Sequence, residues 1–116
     1  MPPSRDSTAG RGPLGAGTLE MLILKSLSAE SMHGYAIAQH IQRLSREVLS
    51  VEQGSLYPAL ERLQAKGWVT SKWASTPTGR EARYYTITAS GRKQLGERKA
   101  EYDRVALAVA RVMRSN

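Results

Sequence analysis

The chain has 116 residues, of which 41% are hydrophobic, and a formal net charge of +7 at neutral pH: enough for one core, with an excess of Lys and Arg that suits a polyanionic partner, nucleic acid or an acidic membrane surface. Cys is absent, which excludes disulfides, thiol nucleophiles and cysteine metal sites and fits a reducing cytoplasm. The first residues lack the apolar stretch of a signal peptide, and the longest apolar run, Met21 to Leu24, is far too short to cross a bilayer, so no membrane role is expected.

Residues 1–17 are rich in Gly, Pro, Ser and Arg, show no apolar periodicity, and read as a disordered arm. Order is expected to begin at Thr18, as the cap of a first helix in which Leu19, Leu22, Ile23 and Leu27 share a face. Turn residues from Ser28 to Gly34 separate it from a second helix over about 34–46, with Ile37, Ile41 and Leu44 inward and His33 placed to cap it. A third helix is expected from near Ser55 to Lys66, stopped by Gly67. It buries Leu56, Leu60 and Leu63 and keeps Pro58 in its first turn, where a missing N–H costs little.

Beyond Gly67 the period changes. Trp68 to Ala74 and Ala82 to Thr88 read as strands of a hairpin joined by the polar turn Ser75 to Arg80, with Tyr85 and Ile87 facing inward. Thr88 or Ser90 can cap a last helix reaching Arg114, on which Tyr102, Val105, Val109 and Val112 recur at coiled-coil spacing. Three helices, a hairpin and a long helix make a mainly α chain with a small β-hairpin. This is a winged helix-turn-helix over 18–88 followed by a C-terminal dimerisation helix over 89–116.

In such a plan the third helix enters the major groove. Its outer face carries Ser55, Tyr57, Glu61, Arg62 and Lys66, and its first N–H groups favour a phosphate. Lys72, Arg80 and Arg83 lie on or beside the hairpin, where a basic tip suits a minor groove or a phosphate ridge. The plainer alternatives are an amphipathic helix with a solvated face and an edge hairpin kept soluble by its charges. The Trp and Tyr residues around the hairpin suit core packing better than base stacking. The last helix either folds back on its own domain or pairs with a second copy. The second is favoured, with Leu19, Leu22 and Ile23 of the first helix joining Tyr102, Val105, Val109 and Val112 at the contact. His33 and His40 have no further ligands at useful spacing, and no phosphate loop, carboxylate pair or nucleophile–base set is present. No metal, cofactor or catalytic site is therefore expected.

Four stretches, GTLEMLILKSL at 17–27, HGYAIAQHI at 33–41, VEQGSLYPALERLQAKGWV at 51–69 and ARYYTITASGRKQL at 82–95, resemble the PadR-like transcriptional regulators, in particular the short members with one terminal helix. The resemblance implies a winged helix with a dimerisation helix, and a repressor that binds a palindromic operator in double-stranded DNA as a homodimer and is released by a small-molecule effector or a stress signal. By position it places Ser55, Tyr57 and Pro58 on the recognition helix, Arg80 and Arg83 on the wing, and Tyr35 in the core. Some short members bind flat aromatic drugs with a Trp on the terminal helix. Here Tyr102 is the only aromatic residue on that helix, so the identity of an effector does not carry over. A protein-interaction module built on the same fold, and a non-specific binder of RNA or single strands, are the competing readings.

Overall fold

The computed structural model describes residues 14–116. The elements in chain order are helix α1 (Ala16–Ala29), strand β1 (Met32–His33), helix α2 (Gly34–Leu44), helix α3 (Gln53–Ala65), strands β2 (Val69–Ser75) and β3 (Glu81–Ile87), and helix α4 (Ala89–Arg114). The sheet is antiparallel, with order β1-β3-β2. This is a winged helix carrying a long C-terminal helix. Residues 1–13 of the expected arm lie outside the described residues. The end of that arm is helical, because α1 starts at Ala16 with Gly15 as its N-cap, which puts Thr18 inside the first turn rather than at the cap.

The core is almost wholly aliphatic. Leu19, Ile23, Leu24 and Leu27 of α1 meet Ile37 and Ile41 of α2, Leu56, Ala59, Leu60 and Leu63 of α3, and Val69, Tyr85 and Ile87 at the base of the wing. Burying each such side chain contributes about 1.5–3 kcal/mol, which secures the three helices as one unit. Leu19 and Ile23, expected at a dimer contact, are 4% and 0% exposed. They complete this core and have no surface left for a partner, while Leu22 is half-buried.

Caps fix how one element hands over to the next. His33 Nδ1 accepts the Ala36 N–H at 3.2 Å and starts α2. That helix stops at Leu44, earlier than the sequence pattern suggests, and Leu44 stays 66% exposed. The chain turns through Arg46 and Glu47 at φ 53° and 68°, with Glu47 N–H donating to Gln42 O at 2.9 Å and Arg46 N–H to Arg43 O at 3.0 Å, a left-handed helix end built without glycine. Helix α3 ends on the same motif with the residue that suits it. Gly67 takes φ 77°, and Trp68 and Gly67 donate to Leu63 O and Gln64 O, each at 3.0 Å. Because α3 begins at Gln53, Pro58 sits in its second turn rather than its first. It has no N–H for the carbonyl of Gly54, which is exposed where water can take that bond.

The two-residue β1 has no sequence signal of its own and exists by pairing with Tyr84 and Tyr85 of β3. The hairpin register pairs Val69 with Ile87 and Ser75 with Glu81, and Gly79 at φ 88° closes the loop at 76–80. Tyr85 and Ile87 point into the core, as their alternation predicts. Thr88 then caps α4, its Oγ1 accepting the Gly91 N–H at 3.0 Å and donating to Gly67 O at 2.8 Å. Over 26 residues α4 extends about 39 Å. Its second half leaves the core, with Tyr102, Val105, Leu107, Val109, Val112 and Met113 all exposed.

Candidate nucleic-acid interface

Between α3 and the wing lies a groove of about 810 Å³, walled by Tyr57 and Glu61 of α3, Tyr35 and Gln39 of α2, and Trp73, Arg80, Glu81 and Arg83 of the wing. Tyr57 stands where it does because Gly34 leaves room for it. A Cβ at position 34 would lie 2.8 Å from Tyr57 Oη and 2.9 Å from its ring. The phenol is thus held against the start of α2 while 42% of the residue stays exposed. Arg83 is aimed by a relay: its Nε donates to Ser71 Oγ at 2.9 Å, and that hydroxyl donates to Gln64 Oε1 of α3, also at 2.9 Å. Arg80 is exposed in the wing loop, where its N–H donates to Thr76 Oγ1 at 3.2 Å.

The expected site residues divide into two sets. Tyr57, Arg80 and Arg83 share this groove, with exposed Pro58 and half-buried Ser55 on the adjoining turn of α3. Lys72 pairs with Tyr84 in the register, one residue out of step with Trp73 and Arg83, so it projects from the opposite face of the wing. Arg62 and Lys66 are turned the other way, toward Glu20 of α1. Arg62 Nε donates to Glu20 Oε2 at 2.6 Å, Lys66 Nζ to Oε1 at 3.4 Å, and Arg98 Nη1 of α4 to Oε1 at 3.3 Å. The Glu20 side chain is 5% exposed. A phosphate or base would have to compete with a buried carboxylate for Arg62, which removes Arg62 and Lys66 from the groove set. Truncating Arg62 would remove the shortest of the three bonds to that buried carboxylate, leaving Lys66 and Arg98, and cost stability as well as any binding.

Two aromatic residues not expected at the site also line the groove, although the opposite parity of Trp68 and Trp73 in the sequence already calls for one of that pair to be partly exposed. Tyr35, expected in the core, is 61% exposed, and its hydroxyl accepts from Gln39 Nε2 at 3.1 Å. Trp73 is 66% exposed, whereas Trp68 is half-buried beneath Lys66 and Arg98, whose cationic groups stand 4.7 and 5.0 Å from its ring. Glu20 did leave a signal. It shares the helical face of Ile23, Leu24 and Leu27, an acid inside an apolar stripe, which is rarely tolerated without a partner.

Burial pushes the Glu20 pKa up, but the Arg62 hydrogen bond and then the Lys66 charge outweigh it, holding the carboxyl below its usual 4.5. A carboxyl with a depressed folded-state pKa contributes stability above its unfolded value and loses it as pH falls through the folded one. Urea denaturation from pH 6 down to pH 3 should therefore show a decline that is shallower in Glu20→Gln. Parallel curves for the two proteins would remove Glu20 from the acid-sensitive groups.

Residues 23–97 match the model of the transcriptional regulator PadR-like family. The chain belongs to that family. This PadR-like chain is 36% identical over 87 residues to the transcriptional regulator Rv3488 of Mycobacterium tuberculosis, covering 75% of its own length and 78% of the relative's. It is 29% identical over 77 residues to the negative transcriptional regulator PadR of Bacillus subtilis, covering 66% of its own length and 42% of that longer chain. In structure it is similar to a PadR-like transcriptional regulator of Bacillus cereus, at 29% identity and a TM-score of 0.72 over 86% of this chain and 95% of the other. The protein is thus a PadR-family transcriptional regulator with a winged-helix fold. No helix among the described residues is long and apolar enough to cross a membrane.

Proposed function

We propose that this regulator binds a palindromic operator as a homodimer and represses the genes beside it. The observation that carries the reading is the single groove in which the exposed face of α3 and the basic wing meet, with Tyr57 on one wall and Arg80 and Arg83 on the other. With α3 in the major groove and the wing loop over the neighbouring backbone, Arg80 and Arg83 face phosphates. Ser55, Tyr57 and Pro58 stand on the recognition helix itself. Glu61, one turn further on, repels phosphate but can accept from the amino group of a cytosine, a contact that reads sequence. Lys72, on the far face of the wing, contributes to the field rather than to the groove.

The exposed apolar face of α4, Tyr102, Val105, Val109 and Val112, supplies the two-fold contact, and two-fold symmetry in the protein calls for an inverted repeat in the DNA. Repression follows the Bacillus subtilis relative, whose name makes it a negative regulator. A cleft of about 490 Å³ between α1 and α4, lined in part by Met21, Tyr102 and Val105, gives a small-molecule effector a place to act on that contact.

The test is selection of random duplex DNA by the purified protein at physiological salt. An enriched inverted repeat, with half-sites about one helical turn apart, is the expected result. Retention that is only weak and salt-labile, or a preference for single strands, would favour the interaction module or the non-specific binder instead. On the selected site, Arg80→Ala should lower affinity with little change in sequence preference and reduce the slope of log affinity against log salt by about one unit. An unaltered slope would take Arg80 off the phosphate.

A further inference from the structure

Glu20 is an expensive residue for the fold to keep. A carboxylate that is 5% exposed loses most of its hydration, and well-packed apolar replacements of buried ion pairs are often as stable or more so. Its partners explain what it does. Arg62 and Lys66 come from the last turn of the recognition helix and from its C-cap, and Arg98 comes from the helix that carries the proposed dimer contact. Lys66 and Arg98 also stand over Trp68, the residue at which α3 passes into the wing. The carbonyls of Gly67 and Trp68 receive the Thr88 hydroxyl at 2.8 Å and the Thr88 N–H at 3.0 Å, and Thr88 is the cap of α4. The end of α3 and the first turns of α4 are therefore joined twice, by these backbone bonds and by the Glu20 carboxylate.

We propose that Glu20 is a positioning residue for operator recognition: by holding Arg62 and Arg98 on one carboxylate it sets the angle of α3 against α4, and with it the spacing of half-sites that the protein accepts. The inference rests on the dimeric reading above, in which the two recognition helices are related through α4. An error in the α3–α4 angle is repeated by the two-fold axis, so a small change within each protomer shifts the distance between the two reading heads. Binding to DNA of any sequence depends on net positive charge and does not need that distance.

The experiment repeats the duplex selection with the unaltered protein, Glu20→Gln and Arg98→Met, and compares each variant's affinity for the best repeat with its affinity for unrelated duplex. Circular dichroism at the assay temperature establishes that each variant is folded. Glu20→Gln should spread the selected repeats over neighbouring spacings and lose about tenfold in affinity for the best one, while affinity for unrelated duplex stays within about twofold. Arg98→Met keeps an aliphatic stem over Trp68 and leaves Arg62 on Glu20, so it should broaden spacing in the same direction. If Glu20→Gln does not fold, Arg98→Met carries the comparison. A repeat whose spacing survives the substitutions, or affinities for specific and unrelated DNA that fall together, overturns the positioning role and leaves the dimeric operator reading intact. No inverted repeat from the unaltered protein would bring down that reading and this inference with it.

Discussion

Gly91→Ala should shift the urea midpoint of unfolding down by about 1 M, the largest stability loss expected from adding one methyl group to this chain. In most helices the change from Gly to Ala gains about 1 kcal/mol. Here a Cβ would overlap the carbonyl oxygen of Trp68 and stand 2.8 Å from Ile87 Cγ1. That carbonyl cannot swing away freely, because it accepts the Thr88 N–H at 3.0 Å and belongs to the turn that joins α3 to the wing. Overpacking against fixed backbone costs about 3 kcal/mol, so the net loss is about 2 kcal/mol, a large share of a small domain's stability. A midpoint that stays put or rises would mean that helix propensity wins and that α4 docks less tightly than its geometry indicates.

Val109→Glu should give a folded monomer that no longer holds the operator. Val109 is 53% exposed in the protomer, so a carboxylate there is hydrated and the fold tolerates it. In the proposed two-fold contact the same carboxylate would be buried in an apolar seam, and an uncompensated buried charge costs several kcal/mol. Sedimentation should report half the mass of the unaltered protein. Affinity for the inverted repeat should fall at least about a hundredfold, because each protomer then binds a single half-site without the gain from linkage. Unchanged mass with unchanged affinity would place the dimer contact away from α4.

Local physics made much of this molecule legible. The stripe of Leu56, Leu60 and Leu63, the inward Tyr85 and Ile87, and the caps at His33 and Thr88 each depend on residues a few positions apart, so their spacing carries the information. The groove and the Glu20 cluster were legible only in part. Arg62 and Lys66 look like free cations on an outer face because the carboxylate that claims them lies 42 and 46 positions earlier, and Arg98 lies 78 positions beyond it. The resemblance alone places Tyr35 in the core, and no apolar spacing of this chain does so. It is 61% exposed, two positions from Ile37 and so on the side of α2 away from the buried Ile37 and Ile41. Leu19 and Ile23 are expected at the dimer contact because their apolar spacing does not say what covers the face, and the packing of α1 against the other elements puts them in the core instead.

Helix α4 is continuous from its cap on the wing to Arg114, so everything beyond Gly96 is locked in rotational phase with α3 and the wing. Each residue added to or removed from the exposed stretch before Tyr102 turns the apolar face by about 100° and slides it by about 1.5 Å. One deletion there would aim the seam at solvent, although no residue of either face had been altered. A change of seven residues restores the direction to within about 20° while moving the apolar face by about 10 Å. On the proposed dimeric reading, length variation in this helix is therefore expected to come in steps near whole pairs of turns, and each step would select a different operator geometry rather than a weaker version of the same one.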